Sequence, residues 1–252
     1  MTNLKTALVT GGGRGIGKET AILLSKKGLN LIICSRNQRE IDSVMKEIKS
    51  FGNDKIIGRE CNVSICSQVN KLVNEALGIF GRVDLLINNA GISYVKRLID
   101  TSEEQWDSTL DINLKGSFLL CKAIVPHMIE QDFGVVVNVS SGAGKVGFKD
   151  ISAYCASKFG MIGLTESLAR EVADYNVRVM TICPGQVATK MQKDIDPLNY
   201  ELNKHKMLSP TRVAEKIVEM IFNPKQYPKR FYCGSSWLKN LQNIVLAMRY
   251  LT

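Results

Sequence analysis

Tyr154 and Lys158 form the pair whose residue types and spacing best suit acid/base chemistry in this sequence. They are four residues apart, so on a helix that starts at Ser152 both side chains leave the same face, one turn apart. The unperturbed pKa of tyrosine is about 10, and a nearby ammonium group favours the phenolate and lowers that pKa. Tyr154 is therefore predicted to exchange a proton with a carbonyl or alcohol oxygen near neutral pH. Ser141, at the end of an apolar run, is placed to hold the same oxygen by a hydrogen bond.

A tyrosine four residues before a lysine also occurs by chance, so its meaning depends on the elements around it. A glycine-rich turn, Thr10 to Gly17 (T-G-G-G-R-G-I-G), follows a predicted strand at Leu4 to Thr10 and precedes a helical pattern that extends to about Lys27. This order favours a dinucleotide site, because glycines let the backbone approach a pyrophosphate whose charge the helix N-terminus attracts. The spacing is G-x-x-x-G-x-G rather than G-x-G-x-x-G, and a plain flexible turn is the alternative.

The second predicted strand, Asn30 to Cys34, ends in Ser35 and Arg36. In NAD-specific sites an acidic side chain at this place accepts hydrogen bonds from the adenosine ribose, and no acid stands here. Ser35 and Arg36, with Arg14 as a second positive charge, are predicted to bind a 2′-phosphate instead. The sequence therefore favours NADP(H), unless Arg36 is an ordinary solvated charge.

Short apolar runs alternate with helical patterns along the rest of the chain. Further strands are predicted at about 55–61, 83–87, 134–139, 177–183 and 230–233, and further helices at about 39–50, 64–80, from 102 onward, 152–175 and 209–222. This alternation predicts an α/β fold, with a single Rossmann-like, doubly wound parallel sheet of about seven strands and helices on both faces.

The chain shows no linker or repeat, so residues 1–252 are interpreted as a single NAD(P)-binding domain. Residues 186–208 are polar and irregular in pattern, which suggests a mobile lid over a substrate site. Residues 236–249 show an apolar face at helical spacing and are predicted to form an amphipathic helix. That helix either packs on its own or a partner subunit, borders the substrate entrance, or rests on a membrane surface.

Small polar groups follow several predicted strands and are candidates for cofactor contacts. Asn62-Val63 is placed to touch an adenine ring, and the turn Asn88 to Gly91 is small enough to pack against a cofactor. Pro184-Gly185, with Thr189 four residues past the glycine, follows the sixth strand. Asn113 lies on the apolar side of the helix that begins at Ser102; since a buried asparagine must be hydrogen-bonded, it is either structural or part of a relay.

Composition limits the class of protein further. The 252 residues are 45% hydrophobic and 23% charged, with no apolar run of roughly the 18 residues that a membrane span needs. Seven scattered cysteines, no C-x-x-C and two histidines predict no metal site and a reducing, cytoplasmic location. The net charge of +9 suits anionic ligands. Because the basic residues are dispersed, we expect no nucleic-acid partner and at most weak membrane-surface contact.

Together these features resemble the short-chain dehydrogenase/reductase family over residues 4 to 233. The resemblance implies that Tyr154 is the acid/base, that Lys158 lowers its pKa and holds the nicotinamide ribose, that Ser141 orients the substrate oxygen, and that Asn113 anchors a water between Lys158 and solvent. It implies hydride transfer between NADPH and a carbonyl, with no metal. It also implies a homodimer or homotetramer packed through the helices that begin at Ser102 and Ser152. The full set of predicted cofactor-binding positions is Gly11, Arg14, Gly15, Ile16, Ser35, Arg36, Asn62, Val63, Asn89, Ala90, Gly91, Tyr154, Lys158, Pro184, Gly185, Val187 and Thr189.

Two departures from the family pattern bear on function. Asn62 stands where many members have aspartate, and its amide oxygen can still accept a bond from adenine. The V-D-G-G-type ending of 3-oxoacyl carrier-protein reductases is missing, and the terminal segment looks more like that of members acting on steroids, lipids or retinoids. We therefore predict an NADPH-dependent oxidoreductase for a hydrophobic carbonyl. The alternatives are a 3-oxoacyl-thioester reductase, which the basic charge would suit, and a catalytically silent NADP-binding regulator, which has no need of all four catalytic residues.

Overall fold

Both faces of the central sheet are apolar, which explains why its strands occur in the sequence as continuous hydrophobic runs. The computed structural model describes residues 4–224, 226 and 233–234. Within them, seven parallel strands pair in the order β3-β2-β1-β4-β5-β6-β7. The strands are β1 Thr6–Thr10, β2 Asn30–Ser35, β3 Ile56–Glu60, β4 Leu85–Asn88, β5 Gly134–Val139, β6 Val177–Ile182 and β7 Cys233–Gly234. The predicted doubly wound parallel sheet is confirmed.

Helices connect the strands and cover both faces. They are α1 Gly15–Lys26, α2 Gln38–Ser50, α3 Cys66–Phe80, α4 Glu103–Leu110, α5 Gly116–Glu130, α6 Ser152–Glu171, α7 Lys190–Ile195, α8 Pro197–Asn203 and α9 Pro210–Phe222. Among the described residues, none of the helices is long and apolar enough to cross a membrane.

The alternation of side chains along each strand divides the core in two. Leu31 and Ile33 of β2 belong to one apolar cluster, which includes residues of α1, α2 and α9. Ile32, between them, belongs to the other cluster, which includes residues of α3, α5 and α6. Successive residues of a strand point to opposite faces, so each strand supports both helical layers.

The direction of winding reverses between β1 and β4, which are neighbours in the sheet. Ligands of open α/β sheets bind at such a reversal, outside the carboxyl ends of the strands. Thr10, the last residue of β1, ties the two strands together there: its Oγ1 donates to Ile87 O at 3.2 Å and accepts from Asn89 N at 2.9 Å and Ala90 N at 3.0 Å. The two turns that line this crevice are thereby held in register.

Several predicted boundaries were wrong. The helix predicted from residue 64 begins at Cys66, after a turn in which Asn62 accepts bonds from Ser64. The helix predicted to reach residue 175 ends at Glu171. The helix predicted from residue 102 onward begins with a capping box between Ser102 and Gln105, and a π-helical turn, Asp111–Lys115, divides it into α4 and α5.

Residues 186–208 were predicted to be irregular and instead contain α7 and α8. Both helices are short and begin at side-chain caps: Thr189 Oγ1 accepts from Gln192 N, and Asp196 Oδ1 accepts from Asn199 N. Such short helices carry too little periodicity to be recognised from a pattern. Of the predicted seventh strand, residue 233 lies in β7, while residues 230–232 and the predicted helix at 236–249 lie outside the described residues.

Candidate active site

A cleft of about 1270 Å³ lies at the carboxyl ends of the strands. All the predicted site residues except Asn113 line it. They include a group around Ser141, Tyr154 and Lys158, which we call the inner end, and a group around Arg14, Ser35 and Arg36, which we call the outer end.

The inner end is positioned by β5 and α6. Tyr154 lies in the first turn of α6, and Lys158 follows one turn later. Lys158 Nζ donates to Val139 O, at the end of β5, at 2.8 Å and lies 5.5 Å from the centroid of the Tyr154 ring. Only 4% of Lys158 is exposed. The spacing therefore places both side chains on one face, as predicted.

Two neighbouring serines after β5 have different partners. Ser140 Oγ donates to Lys158 O at 3.0 Å and fixes α6 against the strand end. Ser141 Oγ accepts from Ala143 N at 3.1 Å, and Ser141 is close enough to Tyr154 to lower the pKa of its phenol. A Cβ on Gly144 would stand 2.6 Å from both Lys158 O and Ser140 Oγ, so the loop crosses α6 at a distance that only glycine allows.

The ionisation of the inner end is governed mainly by burial. Burial raises the pKa of Tyr154, the Ser141 hydroxyl lowers it in part, and Cys155 raises it further. Burial lowers the pKa of Lys158 from 10.5 to about 8, opposed by the nearby Cys183. The lowering of the Tyr154 pKa by Lys158 stays a prediction. Desolvation outweighs the other causes that act on the Tyr154 pKa, and the Lys158 ammonium group bonds to Val139 O. The phenol is therefore protonated at neutral pH, as a proton donor must be.

Asn113 is fully buried beside the cleft rather than in its wall. Its Oδ1 accepts from Ile92 N at 2.8 Å, and its Nδ2 donates to Ile92 O and Ser157 Oγ, both at 2.9 Å. A Cβ on Gly91 would lie 3.3 Å from Asn113 Oδ1 and 3.8 Å from Lys158 Nζ. Asn113 thus holds the turn after β4 next to Lys158. Asn113 itself lies in a π-helical turn, a feature often found at functional sites.

The glycine turn occupies the middle of the cleft. Gly11 and Gly15 have φ values of 61° and 57°, a region that favours glycine. Asn89 Nδ2 holds the turn by donating to Thr10 O at 2.9 Å and to Gly11 O at 3.3 Å. A Cβ on Gly15 would lie 3.4 Å from Thr189 Cγ2, which places the start of α7 opposite the turn.

The outer end carries more charge than the sequence pattern indicated. Arg36 is exposed beside the cleft, and Ser35 Oγ accepts from Asn37 N at 3.1 Å. Arg14 Nη1 lies 3.1 Å from Glu40 Oε1. Glu40 also lines the cleft and was missed, because an acid was sought at the strand end rather than in the first turn of α2.

Asn62 and Val63 lie in the wall of the cleft just after β3. Asn62 Oδ1 already accepts two bonds from Ser64, at 3.1 Å from its N and 2.8 Å from its Oγ. A bond from adenine to this oxygen, as predicted, would compete with the two bonds from Ser64. The Nδ2 group of Asn62 is therefore the more available partner for adenine.

The far wall is formed by the segment after β6. Gly142 N donates to Pro184 O at 2.8 Å. The ends of segment 186–208 are joined by bonds from Leu208 N to Gln186 O at 3.0 Å and from Ala188 N to Leu208 O at 2.8 Å. The segment is thus tied at its base, with α7 and α8 between the tied ends.

The rest of the cleft wall combines apolar side chains with polar and charged ones. Its apolar members include Ile92, Val95, Phe148, Ile151, Met191, Ile195 and Leu208. Ser93 also lines the cleft, and its buried Oγ has no hydrogen-bond partner among the described residues. None of these residues forms a motif, so they could not be found from the sequence beyond the general position of the loops.

Comparison with known proteins agrees with this architecture. Residues 5–199 match the family described as short chain dehydrogenase. The 3-oxoacyl-acyl-carrier-protein reductase FabG of Thermotoga maritima is 37% identical over 191 residues, 76% of this chain and 77% of that protein. FabG of Staphylococcus aureus strain Mu50 is 37% identical over 215 residues, 85% of each.

Solved structures of two reductases superpose over nearly the whole chain. Levodione reductase has a TM-score of 0.86 and 27% identity, covering 93% of this chain and 97% of its own. A variant of actinorhodin polyketide ketoreductase with NADPH has a TM-score of 0.86 and 28% identity, covering 94% and 98%. The chain therefore belongs to the short-chain dehydrogenase/reductase family. It is an oxidoreductase of that family, which confirms the predicted family and enzyme class.

Proposed function

We propose that the protein is an NADP(H)-dependent oxidoreductase that interconverts a carbonyl and a secondary alcohol on a hydrophobic substrate. The observation that carries this proposal is the group formed by Ser141, Tyr154 and Lys158 at the inner end of a cleft that several apolar side chains also line. A protonated phenol, a hydroxyl and a buried ammonium group meet there within one cleft.

The cleft has the size and backbone features that a dinucleotide requires. At about 1270 Å³ it exceeds the roughly 300–1,000 Å³ of a typical small-molecule site, which leaves room for a cofactor and a substrate. The positive φ values of Gly11 and Gly15 support a turn that a pyrophosphate could approach closely. We propose the predicted cofactor-binding positions as the residues that hold the cofactor, with Thr189 facing the pyrophosphate from the opposite wall.

A bound nicotinamide cofactor would supply or accept the hydride, and the chain's own residues would manage the substrate oxygen. Ser141 and Tyr154 hold that oxygen by hydrogen bonds, and Tyr154 donates its proton as the oxygen gains negative charge. Lys158, where protonated, stabilises the resulting phenolate and binds the ribose hydroxyls. We propose that Asn113 keeps a water behind Lys158, which restores the proton from solvent.

The choice of NADP(H) is supported by the charges at the outer end. Arg14 and Arg36 are positive and Ser35 supplies a hydroxyl, a set that suits a phosphate. One structural relative is described with NADPH, which supports the same cofactor here.

A second candidate is reduction of a 3-oxoacyl thioester on a carrier protein. The names of the FabG relatives favour it. So do Lys149, Lys190 and Lys206, which line the cleft and would suit an acidic carrier. The apolar side chains of the cleft would suit an acyl chain as well as a steroid or other ketone.

NADPH consumption with a panel of steroid, aliphatic, quinone and acyl-thioester carbonyls tests these candidates. We expect the highest kcat/KM with hydrophobic ketones. A clear preference for acyl thioesters would instead establish the second candidate. If the protein binds NADPH but does not oxidise it with any carbonyl of the panel, a catalytically silent regulator remains as the function.

We also propose that residues 1–252 form one domain, that segment 186–208 covers the substrate, and that the protein is a homodimer or homotetramer. Phe118 on α5 and Phe159 on α6 are 44% and 46% exposed, and exposed aromatic side chains are typical of subunit interfaces. Light scattering of the purified protein, compared with a Phe159→Glu variant, would measure the assembly. A monomeric wild-type protein would contradict it.

A further inference from the structure

A carboxylate lies among the residues proposed for the 2′-phosphate. Glu40 Oε1 accepts from Arg14 Nη1 at 3.1 Å. A Cβ on Gly13 would stand 2.9 Å from Glu40 Cβ and 3.2 Å from Ser35 Oγ. Glu40, Ser35 and Arg14 therefore border the same small part of the cleft, although Glu40 is distant in sequence from Arg14.

The position of Glu40 is set by the start of α2. Asn37 Oδ1 accepts from Glu40 N at 3.3 Å, and Asn37 N donates to Ser35 Oγ at 3.1 Å. The Glu40 side chain is 28% exposed, compared with 52% for Arg14. The carboxylate is thus the less solvated member of the pair, and it is attached to the same turn as the proposed phosphate ligand Ser35.

A carboxylate in this place opposes one cofactor and suits the other. A phosphate monoester carries about −1.5 to −2 charges near pH 7, so it is repelled by Glu40 and must compete with it for Arg14. A ribose 2′-hydroxyl is instead a donor, which a carboxylate accepts.

We propose that Glu40 is a specificity-determining residue that limits the preference of this protein for NADPH over NADH. This inference rests on the proposed binding of NADP(H) at the outer end. Arg14 is shared between the carboxylate and the phosphate, and loss of the carboxylate leaves the guanidinium wholly to the phosphate.

The test compares Glu40→Gln with the wild type by titration of NADPH, NADH, 2′,5′-ADP and 5′-AMP. The substitution removes the charge and keeps the shape. Affinity for NADPH and 2′,5′-ADP should rise about threefold to tenfold, because a partly exposed ion pair competes with a doubly charged ligand. Affinity for NADH and 5′-AMP should stay constant or fall, so the ratio between cofactors widens.

Glu47→Gln is the matched control. Glu47 lies on the same helix and pairs with Lys18 at 2.8 Å, but it does not line the cleft. If Glu40→Gln changes the ratio no more than Glu47→Gln does, Glu40 does not determine specificity. Weaker NADPH binding in Glu40→Gln would also overturn the inference, since Glu40 would then serve to orient Arg14.

The proposed function fails by a different result. A wild-type protein that binds NADH more tightly than NADPH contradicts the proposed cofactor preference. The shift in the ratio between 2′,5′-ADP and 5′-AMP on Glu40→Gln still tests the role of Glu40 in that case.

Discussion

The two ends of the cleft differ in how firmly they fix their residues. At the inner end, Lys158 is 4% exposed, bonds to Val139 O, and has its pKa lowered to about 8 by burial. At the outer end, the Arg14 and Glu40 side chains are 52% and 28% exposed and form an ion pair. Exposed pairs contribute only about 0–1 kcal/mol, whereas buried groups are strongly perturbed. The proposed chemistry is thus located where residues are fixed, and the proposed choice of cofactor where charges can be exchanged at little cost.

The largest effect should follow removal of the phenolic hydroxyl at the inner end. We expect Tyr154→Phe to lower kcat at least about 100-fold, the usual scale for a general acid, while the Kd for NADPH changes little. Steady-state kinetics and cofactor titration measure the two quantities. Tyr175→Phe, an exposed tyrosine beyond the end of α6, is the control and should behave as wild type. Wild-type turnover in Tyr154→Phe would require a different proton donor.

Lys158→Met should abolish most turnover and yet stabilise the fold at neutral pH. The fall in the Lys158 pKa from 10.5 to about 8 corresponds to about 3 kcal/mol, the cost of the buried ammonium. The free energy of unfolding should rise by up to this amount, less the contribution of the bond to Val139 O. Denaturant unfolding measures it, with the exposed Lys46→Met expected to stay within about 0.5 kcal/mol of wild type.

The same variant has a predicted pH dependence. Between pH 8 and 10.5 the unfolded chain holds a proton on Lys158 that the folded chain has released, so wild-type stability gains from rising pH in this window. That contribution is complete above 10.5 and is lost as the pH falls through about 8. The gain in the free energy of unfolding of Lys158→Met over wild type should therefore be greatest at or below pH 8 and disappear near pH 10.5. A difference independent of pH would show that the ammonium is not its cause.

A smaller and more selective effect is expected at the outer end. Arg36→Ala should raise the KM for NADPH about tenfold, the lower part of the range for hydrogen bonds to charged groups, because Arg36 is exposed. The KM for NADH should hardly change, since NADH lacks the 2′-phosphate. Arg39→Ala removes an exposed arginine of α2 that does not line the cleft and is the control. An equal rise in KM with both cofactors would remove Arg36 from phosphate recognition.

The smallest effect should come from segment 186–208, which we propose covers the substrate. Ile195 lines the cleft, whereas Leu198 on α8 is 73% exposed and does not. Ile195→Ser should raise the KM for a hydrophobic ketone about threefold to tenfold, because less apolar surface of the protein then packs against the substrate. Leu198→Ser should leave the KM unchanged if α8 only covers α7. A larger effect at Leu198 would place the substrate, or a partner, on the outer face of the segment.

The sequence was sufficient for the parts of the molecule that depend on short-range periodicity. Four-residue spacing places Tyr154 and Lys158 on one face of α6, and apolar runs predict the buried strands. The positions of Ser141 and of the glycine turn follow because both come directly after strands, whose carboxyl ends meet at one edge of the sheet.

The features that could not be predicted depend on burial and on contacts between distant segments. The pKa of Tyr154 is raised because desolvation outweighs the other effects, and spacing carries no measure of desolvation. Glu40 reaches the cleft only because α2 begins beside Arg14. Asn113 forms hydrogen bonds with both the backbone N and O of Ile92 beside the cleft. Its helix is interrupted by a π-helical turn that no pattern of apolar residues indicated.

The central claim is that hydride passes from NADPH to a carbonyl at the inner end, with the proton coming from Tyr154. The most direct measurement is a single turnover with NADPH that carries deuterium at both C4 positions, followed by mass spectrometry of the product. We expect one deuterium on the carbinol carbon with the wild-type protein, and no labelled product from Tyr154→Phe in the same time. An alcohol that carries no deuterium, or equal labelling by both proteins, would contradict the claim.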